Sequence, residues 1–397
     1  MTYAYDVHMH ILPLSHVCLS AYLDYAQQNP LSEAYAQVSA HDYVMRGILH
    51  RQGDARNLVA VMEHPIAKQL AIYEDDLRAK YAEGKEKPVL TDEGLKISGG
   101  AGKALSFDKI IVCPQIMDFS FNRELGLYYS EMPAHNIMIQ SKEILNGIRE
   151  YHENAPSSLM EVRPFFGINP LHYEEEKISE ILKEVFAKKS LFSKNKPCFV
   201  GIKVYPPMGF DPNPEDEKLR ARTEVLYSFC EENEIPIVTH CDDQGFRMVP
   251  LDDSLTFTSP ARWEAVLERH PKLYLDFAHF GSQYYRAATM LQLKELSWRN
   301  HILLLMKKFP HVYSDLSFGG VNSSMWKNVM DILKNAAPED KDIYSERLLF
   351  GTDWPLSLVK IPSALDYWQG FCESDIPSDL AHKILSQNPE TFLHLKK

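Results

Sequence analysis

The sequence has no apolar run that approaches the roughly 20 residues needed for a membrane-spanning helix. Its first residues also lack the basic region and long apolar core of a secretory signal. The six cysteines show no close pairing that would indicate a disulfide framework. These absences predict a cytoplasmic protein that does not cross a membrane.

Basic residues are fewer than acidic residues in this sequence. The chain carries 42 Lys and Arg against 54 Asp and Glu, and its formal net charge is -12 at pH 7. Binding to a nucleic-acid backbone needs clustered Lys and Arg that replace the released counterions, so nucleic acid is a poor partner. With 45% hydrophobic and 24% charged residues, the 397-residue chain is globular, with one large core plus insertions or two ordinary domains.

From Phe107 onward, short β-branched runs alternate with amphipathic helical stretches. Together with a run at the amino terminus, strands are predicted at 3–7, 108–113, 162–168, 198–204, 235–240, 273–279, 312–316 and 347–353. Helices are predicted at 140–154, 174–188, 216–233, 260–270, 287–309, 324–337 and 378–392. Eight strand and helix alternations favour a closed parallel (β/α)8 barrel, or TIM barrel, over an open sheet, as one domain spanning residues 1–397.

The pattern differs between the first and second predicted strands. Residues 19–81 have apolar positions three and four apart, which is typical of helices, and residues 83–103 are polar and Gly-rich. The run Gly99–Lys103 resembles a phosphate loop, but the first Gly of that motif falls at Ile97 and its Ser/Thr at Ala104, so we predict a flexible connector. A helical insertion over residues 14–105 is therefore expected beside the barrel mouth.

Candidate ligands stand at the ends of four predicted strands, and the carboxyl ends of the strands are where (β/α)8 barrels build active sites. The first strand ends in His8 and His10, the fifth in His240, the sixth in His279 and the eighth in Asp353. Each residue alone could be a hydrogen-bonded structural histidine or a turn cap. Their shared position at one rim favours a ligand set for zinc or a similar divalent ion, with a place left for water.

Several motifs resemble the amidohydrolase superfamily. They are DVHMH at 6–10, GIKVYPP at 201–207, THCDD at 239–243, DFAHFG at 276–281 and FGTDWP at 350–355. More narrowly, they resemble the amidohydrolase-related branch, which contains both hydrolases and enzymes of the amino-carboxymuconate-semialdehyde decarboxylase type. The closing NPETF at 388–392 is similar to the Asn-led last helix of that branch, and the resemblance covers the chain except for the insertion.

The resemblance implies that His8, His10, His240 and Asp353 bind one divalent ion, with zinc as the expected metal. It also implies that His279 is a catalytic histidine beside the metal-bound water. Such an ion lowers the pKa of its water from near 16 toward roughly 7. Asp353 or His279 would then take or pass the proton, so both are expected to be catalytic.

Lys203 has three interpretations. A lysine on this strand is carboxylated and bridges two ions in some relatives, but it could also be a salt-bridged structural lysine. In the third interpretation its ammonium group binds a substrate carboxylate, with Tyr205 as a hydrogen-bond donor. Lys203 lies deeper than the end of its strand, because Val204, Tyr205 and the rigid Pro206 follow it. We therefore predict one metal and an unmodified lysine.

Other polar residues are weaker candidates. Asp242, Asp243 and Arg247 follow His240 on a loop and are either solvated charges or substrate contacts, and Asp118 and Asn169 hold similar positions after strands two and three. Three further histidines fall in the insertion and are expected to be ordinary surface or core residues: His41, His50 and His64.

Hydrolysis of a C–N or C–O bond in a small organic substrate is the leading prediction. Non-oxidative decarboxylation uses the same metal site, and fold and ligands do not separate the two. A non-catalytic, metal-stabilised binding protein is a third alternative, but neither His279 nor Asp353 is needed merely to hold a closed structural site. We expect a small-molecule partner, with a carboxylate on the substrate and a homo-oligomeric state as further expectations.

Overall fold

The structure, a computed structural model, describes residues 1–16, 55–82, 87–119, 136–187, 198–283 and 297–395. Within these ranges, strands are numbered in chain order. They are β1 (Tyr3–Met9), β2 (Leu90–Thr91), β3 (Gly94–Ser98), β4 (Ala104–Phe107), β5 (Lys109–Pro114), β6 (Met160–Val162), β7 (Phe165–Gly167), β8 (Gly201–Val204), β9 (Ile237–Thr239), β10 (Leu275–Phe277), β11 (Val312–Asp315) and β12 (Leu348–Leu349). His41 and His50, which are expected to be ordinary surface or core histidines, lie outside the described residues, and so does the start of the helix predicted at 287–309.

Each of the eight predicted strands is present, and they pair in parallel. One sheet has the order β1-β5-β6, and a second has the order β12-β11-β10-β9-β8-β7. In register, Tyr5 lies opposite Ile111, and Lys203 lies opposite Val238. The strand predicted at 162–168 occurs as two short strands, β6 and β7, which are separated at Pro164, a residue without an N–H for the ladder.

Backbone contacts connect the edges of the two sheets on both sides. Gln115, which follows β5, forms a parallel bridge with Phe165 of β7. The Val7 N–H in β1 donates to the Phe350 carbonyl just after β12, at 3.0 Å. The architecture is thus α/β with parallel sheets, and the carboxyl ends of the paired strands face the same side.

Alternate strand residues pack into two separate apolar clusters. Tyr5, Val7, Ile111 and Cys113 belong to a cluster that also contains Val238, Tyr313 and Leu349 from the other sheet. Their neighbours Ile110 and Val112 pack instead into the larger cluster with the helices. This two-sided burial agrees with the near-continuous apolar character of the strands.

Helices follow most of the strands at the predicted places. They span Ile137–Asn154, Glu175–Phe186, Glu217–Glu232, Glu264–Arg269, Trp298–Lys308 and Ser324–Asn335, and the last segment consists of Ser378–His382, a π-helical turn at Lys383–Gln387, and Asn388–Phe392. Three further helices that the sequence reading missed occur at Leu251–Thr258, Pro338–Ser345 and Ala364–Glu373. No helix in the described ranges is long and apolar enough to cross a bilayer.

The inserted segment is helical only in part. It contains helices at Ala55–Met62 and Ile66–Leu77, followed by an antiparallel sheet of order β2-β3-β4. The flexible connector predicted for 83–103 was therefore wrong for residues 87–103. Leu90, Leu95 and Ile97 are buried in the main core, and this burial offsets the loss of chain entropy that the polar composition suggested.

Lys103, which follows the Gly-rich turn, has a structural role. Its ammonium group is almost fully buried and donates to the carbonyls of Gly100, at 2.8 Å, and Ile376, at 2.9 Å. Because these acceptors belong to the chain itself, the lysine fastens the turn to the segment after Glu373 and holds no phosphate.

Leu70 tests whether the insertion is part of the core. Its side chain is fully buried within helix Ile66–Leu77 and packs into the main cluster. We expect Leu70→Ala to lower the free energy of unfolding by about 2–5 kcal/mol. The substitution leaves a cavity, and the packed neighbouring side chains cannot move far enough to fill it. Urea unfolding followed by circular dichroism measures this loss, and an unchanged midpoint would show that the insertion packs independently.

Candidate metal centre

The strand ends bring the five predicted residues together. His8 lies within β1 and His10 just after it, while His240, His279 and Asp353 follow β9, β10 and β12. Each of the five residues is at most 5% exposed. The site is therefore assembled from three strands of one sheet and the first strand of the other.

Local backbone geometry directs these side chains. The pairing of β1 with β5 shifts register between Asp6 and Met9. His279 and Asp353 leave their strands with φ of 61° and 56°, in the left-handed region that costs non-glycine residues about 1 kcal/mol or more. The Asp353 N–H donates to the His8 carbonyl at 2.7 Å, which fixes the end of β12 against β1.

On β1, each histidine has one nitrogen committed to an acceptor. His8 Nδ1 lies 2.6 Å from Asp315 Oδ2, and His10 Nδ1 lies 2.8 Å from the Gln115 carbonyl. Since carbonyl and carboxylate oxygens only accept, Nδ1 carries the proton in both neutral rings. Each Nε2 consequently presents a lone pair.

The other two histidines are fixed in the same way. His240 Nε2 is 3.1 Å from both the Gln244 carbonyl and Asp242 Oδ1, so its free lone pair is on Nδ1. His279 Nδ1 is 2.9 Å from Ser317 Oγ, whose own proton is donated to Asp315, so the free lone pair of His279 is on Nε2.

These free acceptors face one another with no proton between them. His279 Nε2 is 3.2 Å from His240 Nδ1, and Asp353 Oδ1 is 3.1 Å from His10 Nε2 and 3.5 Å from His8 Nε2. Ligand atoms around a tetrahedral ion with bonds near 2.05 Å are separated by roughly 3.3 Å. The spacing of the acceptors is thus that of a ligand set.

Two of the acceptor atoms confirm the fit to a cation. His8 Nε2 and Asp353 Oδ1 are buried and have no hydrogen-bond partner among the described residues. Burial lowers the pKa of His8 to about 3, although Asp315 opposes that shift, so its ring stays neutral at physiological pH. Leaving such atoms without a partner is costly, and a divalent ion would satisfy both.

The acceptors form two compact groups that share His279. One contains His8, His279 and Asp353, and the other contains His240, Asp242 and His279. Within each group, the candidate ligand atoms lie within 4.8 Å of one another. The structure therefore places His279 among the candidate ligands, while its predicted role as a proton carrier stays a prediction.

Asp315 was missed by the sequence reading, although it organises the site. In addition to His8 Nδ1, its carboxylate accepts the N–H groups of His279 and Ser317, each at 3.0 Å. Burial would raise the pKa of Asp315, but the contacts with His8 outweigh burial and hold the pKa below its ordinary value. A signal was present, because Asp315 ends the seventh predicted strand, where a carboxylate is expected to face the site.

Asp242 is buried and belongs to the site. Its Oδ1 accepts the Gln244 N–H at 2.7 Å and lies against His240 Nε2, which fixes the orientation of that ring. Burial alone would raise the pKa of Asp242, but His240 and His279 lower it overall, so the carboxylate is ionised. The interpretation of Asp242 as a solvated loop charge was wrong.

Lys203 lies in β8 below the histidines and is 1% exposed. Its Nζ has no hydrogen-bond partner in the part of the chain that the structure describes. Burial lowers the pKa of Lys203 to about 8, and Asp315 and Asp353 oppose that shift. Asp276 is also fully buried, and burial and the neighbouring Asp315 carboxylate raise the pKa of its carboxyl group well above the ordinary value.

Tyr205 forms one wall beside His240. The two ring centroids are 4.7 Å apart, and the tyrosine hydroxyl accepts the Phe246 N–H at 3.0 Å. Gly245 makes this contact possible: its φ is 107°, and a Cβ there would lie 2.3 Å from Tyr205 Oη. The loop after His240 therefore requires glycine at this position.

The remaining candidates do not belong to the two acceptor groups. Asp118 and Asn169 bond to each other, because the Asn169 N–H donates to Asp118 Oδ2 at 2.9 Å. Asp243 and Arg247 are buried and have partners, with Arg247 donating to the Val249 carbonyl at 3.0 Å. His64 is exposed in the insertion, as expected for an ordinary surface histidine.

Comparison with known proteins gives one family match. The profile of the family described as Amidohydrolase matches residues 162–395. No curated protein sequence matches the chain.

The solved structures to which the chain is similar are distant in sequence. The 4-oxalomesaconate hydratase from Rhodopseudomonas palustris is 12% identical, with 98% of this chain and 95% of that chain covered and a TM-score of 0.43. Amidohydrolase 2 from Bifidobacterium longum subsp. infantis is 11% identical, with 97% and 98% covered and a TM-score of 0.39. A zinc-bound amidohydrolase from Burkholderia multivorans is 13% identical, with 72% and 83% covered and a TM-score of 0.38.

Asp315 and Asp276 offer a matched pair of substitutions. We expect Asp315→Asn to weaken the binding of Zn²⁺ by about 10–100-fold, because the amide no longer holds His8 Nδ1 as a carboxylate does. Asp276→Asn changes a buried carboxyl group that has no hydrogen bond to any of the histidine rings among the described residues, so affinity should stay close to that of the wild type. Competition with a fluorescent chelator measures both, and equal affinities in the two variants would remove the role of Asp315.

Proposed function

This chain belongs to the amidohydrolase family, and we propose on that basis that it is a metal-dependent hydrolase. Its substrate would be a small organic molecule with a C–N or C–O bond to be cleaved by water. The observation that carries the proposal is a pair of buried acceptor atoms, His8 Nε2 and Asp353 Oδ1, which lie 3.5 Å apart and have no hydrogen-bond partner among the described residues. We also propose that the eight barrel strands close into a (β/α)8 barrel, which the contact between Val7 and Phe350 supports.

In this proposal, His8, His10, His240 and Asp353 hold one divalent ion, with zinc as the expected metal. A divalent ion bound there would make water a nucleophile near neutral pH and polarise the substrate. The tautomers support this assignment, because Asp315, Gln115 and Gln244 each engage the ring nitrogen that faces away from the site.

His279 is proposed as the proton carrier. Its Nδ1–H is bound to Ser317, so Nε2 is free to take a proton from water and deliver it to the leaving group. The Asp315 carboxylate accepts the His279 backbone N–H and also bonds Ser317 Oγ, so the ring is held from both its backbone and its Nδ1. Because the His279 ring is fixed in this orientation, it can transfer a proton without having to reorient during the reaction.

Lys203 supports a second candidate function. Its buried ammonium group, without a hydrogen-bond partner among the described residues, suits a substrate carboxylate, with Tyr205 nearby as the accompanying contact. A carboxylate held in this way could be the group that is lost, so non-oxidative decarboxylation is the alternative reaction. Lys203 is proposed to remain unmodified in either case.

The central experiment combines metal content with product analysis. The zinc-loaded wild type should bind about one ion per chain and turn over members of a panel of small amides, esters and lactones. His8→Ala and Asp353→Ala should each lose the ion, because each removes an acceptor that faces the others. Full metal content in both variants, measured by elemental analysis, would contradict the site.

The products separate the two reactions. In water enriched in heavy oxygen, hydrolysis places the label in the acid product, because the attacking oxygen comes from solvent. Decarboxylation of a carboxylate panel instead releases carbon dioxide and adds a solvent hydrogen to carbon. Label in the acid supports the hydrolase, and carbon dioxide without label in the product supports the alternative.

His279→Asn separates proton transfer from metal binding. We expect the variant to keep its metal and to lose about 100-fold or more in kcat, because the proton carrier is gone. The fold should be retained, since asparagine tolerates the left-handed backbone at this position. Metal content and kcat measured on the same preparation decide the role, and loss of the ion would instead make His279 a ligand.

A further inference from the structure

Asp6 lies two residues before His8, yet the two side chains serve opposite sides of the sheet. In a regular strand, residues i and i+2 point the same way. Here the register shift between Asp6 and Met9 breaks that rule. His8 reaches Asp315 in the site, whereas Asp6 contacts Tyr73 of the inserted helix Ile66–Leu77.

The Asp6 carboxylate connects the two chain segments that carry the ligands. Its Oδ1 accepts the N–H of Thr352 at 3.0 Å and that of His8 at 3.3 Å. Its Oδ2 accepts the Thr352 hydroxyl at 2.6 Å. Because Asp353 directly follows Thr352, one buried carboxylate sets the position of β1 relative to the residues after β12.

Tyr73 donates the fourth hydrogen bond to the Asp6 carboxylate. It is the only one of these four bonds that comes from the inserted helix. Its hydroxyl donates to Asp6 Oδ2 at 2.6 Å and accepts the Trp368 indole N–H at 3.0 Å. The Tyr73 ring also packs edge-on against Trp354, the residue after Asp353, with centroids 5.3 Å apart. Tyr73 is fully buried, so its hydroxyl has no access to water as a substitute partner.

We propose that Tyr73 is a positioning residue of the metal centre and that the inserted helix sets the spacing of the ligands through it. The inference rests on the proposed function, because it assumes that His8 and Asp353 hold an ion. Without the Tyr73 hydroxyl, Asp6 would keep its hydrogen bonds to Thr352 and His8. It would lose the one hydrogen bond that comes from outside these two chain segments. The separation of 3.5 Å between His8 Nε2 and Asp353 Oδ1 would then be less well defined.

Tyr151 provides a matched control. Its hydroxyl is also buried and donates to Glu74, a carboxylate on the same inserted helix. The described partners of this hydroxyl are Glu74 and Ser158, and Asp6 is not among them. Tyr73→Phe and Tyr151→Phe therefore remove the same kind of hydrogen bond from the same helix. Only the first should affect the metal centre, while both should lower the melting temperature.

The experiment measures the affinity of each protein for Zn²⁺ by chelator competition, together with its thermal melting temperature. Tyr73→Phe should bind Zn²⁺ about 10-fold or more weakly than the wild type, at the lower limit of losses seen for outer partners of metal ligands. Tyr151→Phe should keep wild-type affinity. If Tyr73→Phe does not fold, Trp368→Phe, which removes the donor that orients the Tyr73 hydroxyl, should also weaken Zn²⁺ binding.

The outcomes distinguish the inference from the proposed function. A wild type that binds no Zn²⁺ overturns both. A wild type that binds Zn²⁺, with unchanged affinity in Tyr73→Phe, overturns the positioning role alone, and so does an equal loss of affinity in Tyr73→Phe and Tyr151→Phe. Weaker binding in Tyr73→Phe alone, at similar melting temperatures of the two variants, supports it.

Discussion

The site depends on the way in which each histidine is held by its outward nitrogen. A carboxylate, a backbone carbonyl or a serine hydroxyl accepts the proton on that nitrogen, and the inward nitrogen is left as an acceptor. Four such acceptors and Asp353 would repel one another if nothing lay between them. Folding of the surrounding sheet holds these acceptors together despite their repulsion. A bound cation would attract all of them and so remove the repulsion.

The convergence of the candidate ligands at one rim could be predicted, because it depends on local sequence. His240 and His279 come one and two residues after short strands, and the rule that parallel strands place their carboxyl ends together brings them to one rim. Asp353 follows the same logic. The roles of the carboxylates that hold the rings were harder to foresee, because a partner such as Asp315 for His8 is set by a contact between distant parts of the chain.

In two segments the structure departs from what the local sequence pattern indicates. The polar composition of residues 87–103 suggested a connector, but Leu95 and Ile97 alternate with exposed neighbours and pack into the core as a strand. In β1, a period-two pattern gives no sign of the register shift after Asp6. Because of this shift, the side chains of Asp6 and His8 lie on opposite sides of the sheet. In both segments tertiary packing decided what the local pattern left ambiguous.

The carboxylate of Asp6 accepts hydrogen bonds from Thr352, 346 positions later in the chain. A contact between such distant residues forms late in folding, since the loss of entropy on closing so long a loop must first be offset by the packing of the intervening strands. During synthesis His8 and His10 emerge long before His240, His279 and Asp353. Selection among competing ions would then fall to the nearly finished fold, after the last strand has delivered Asp353.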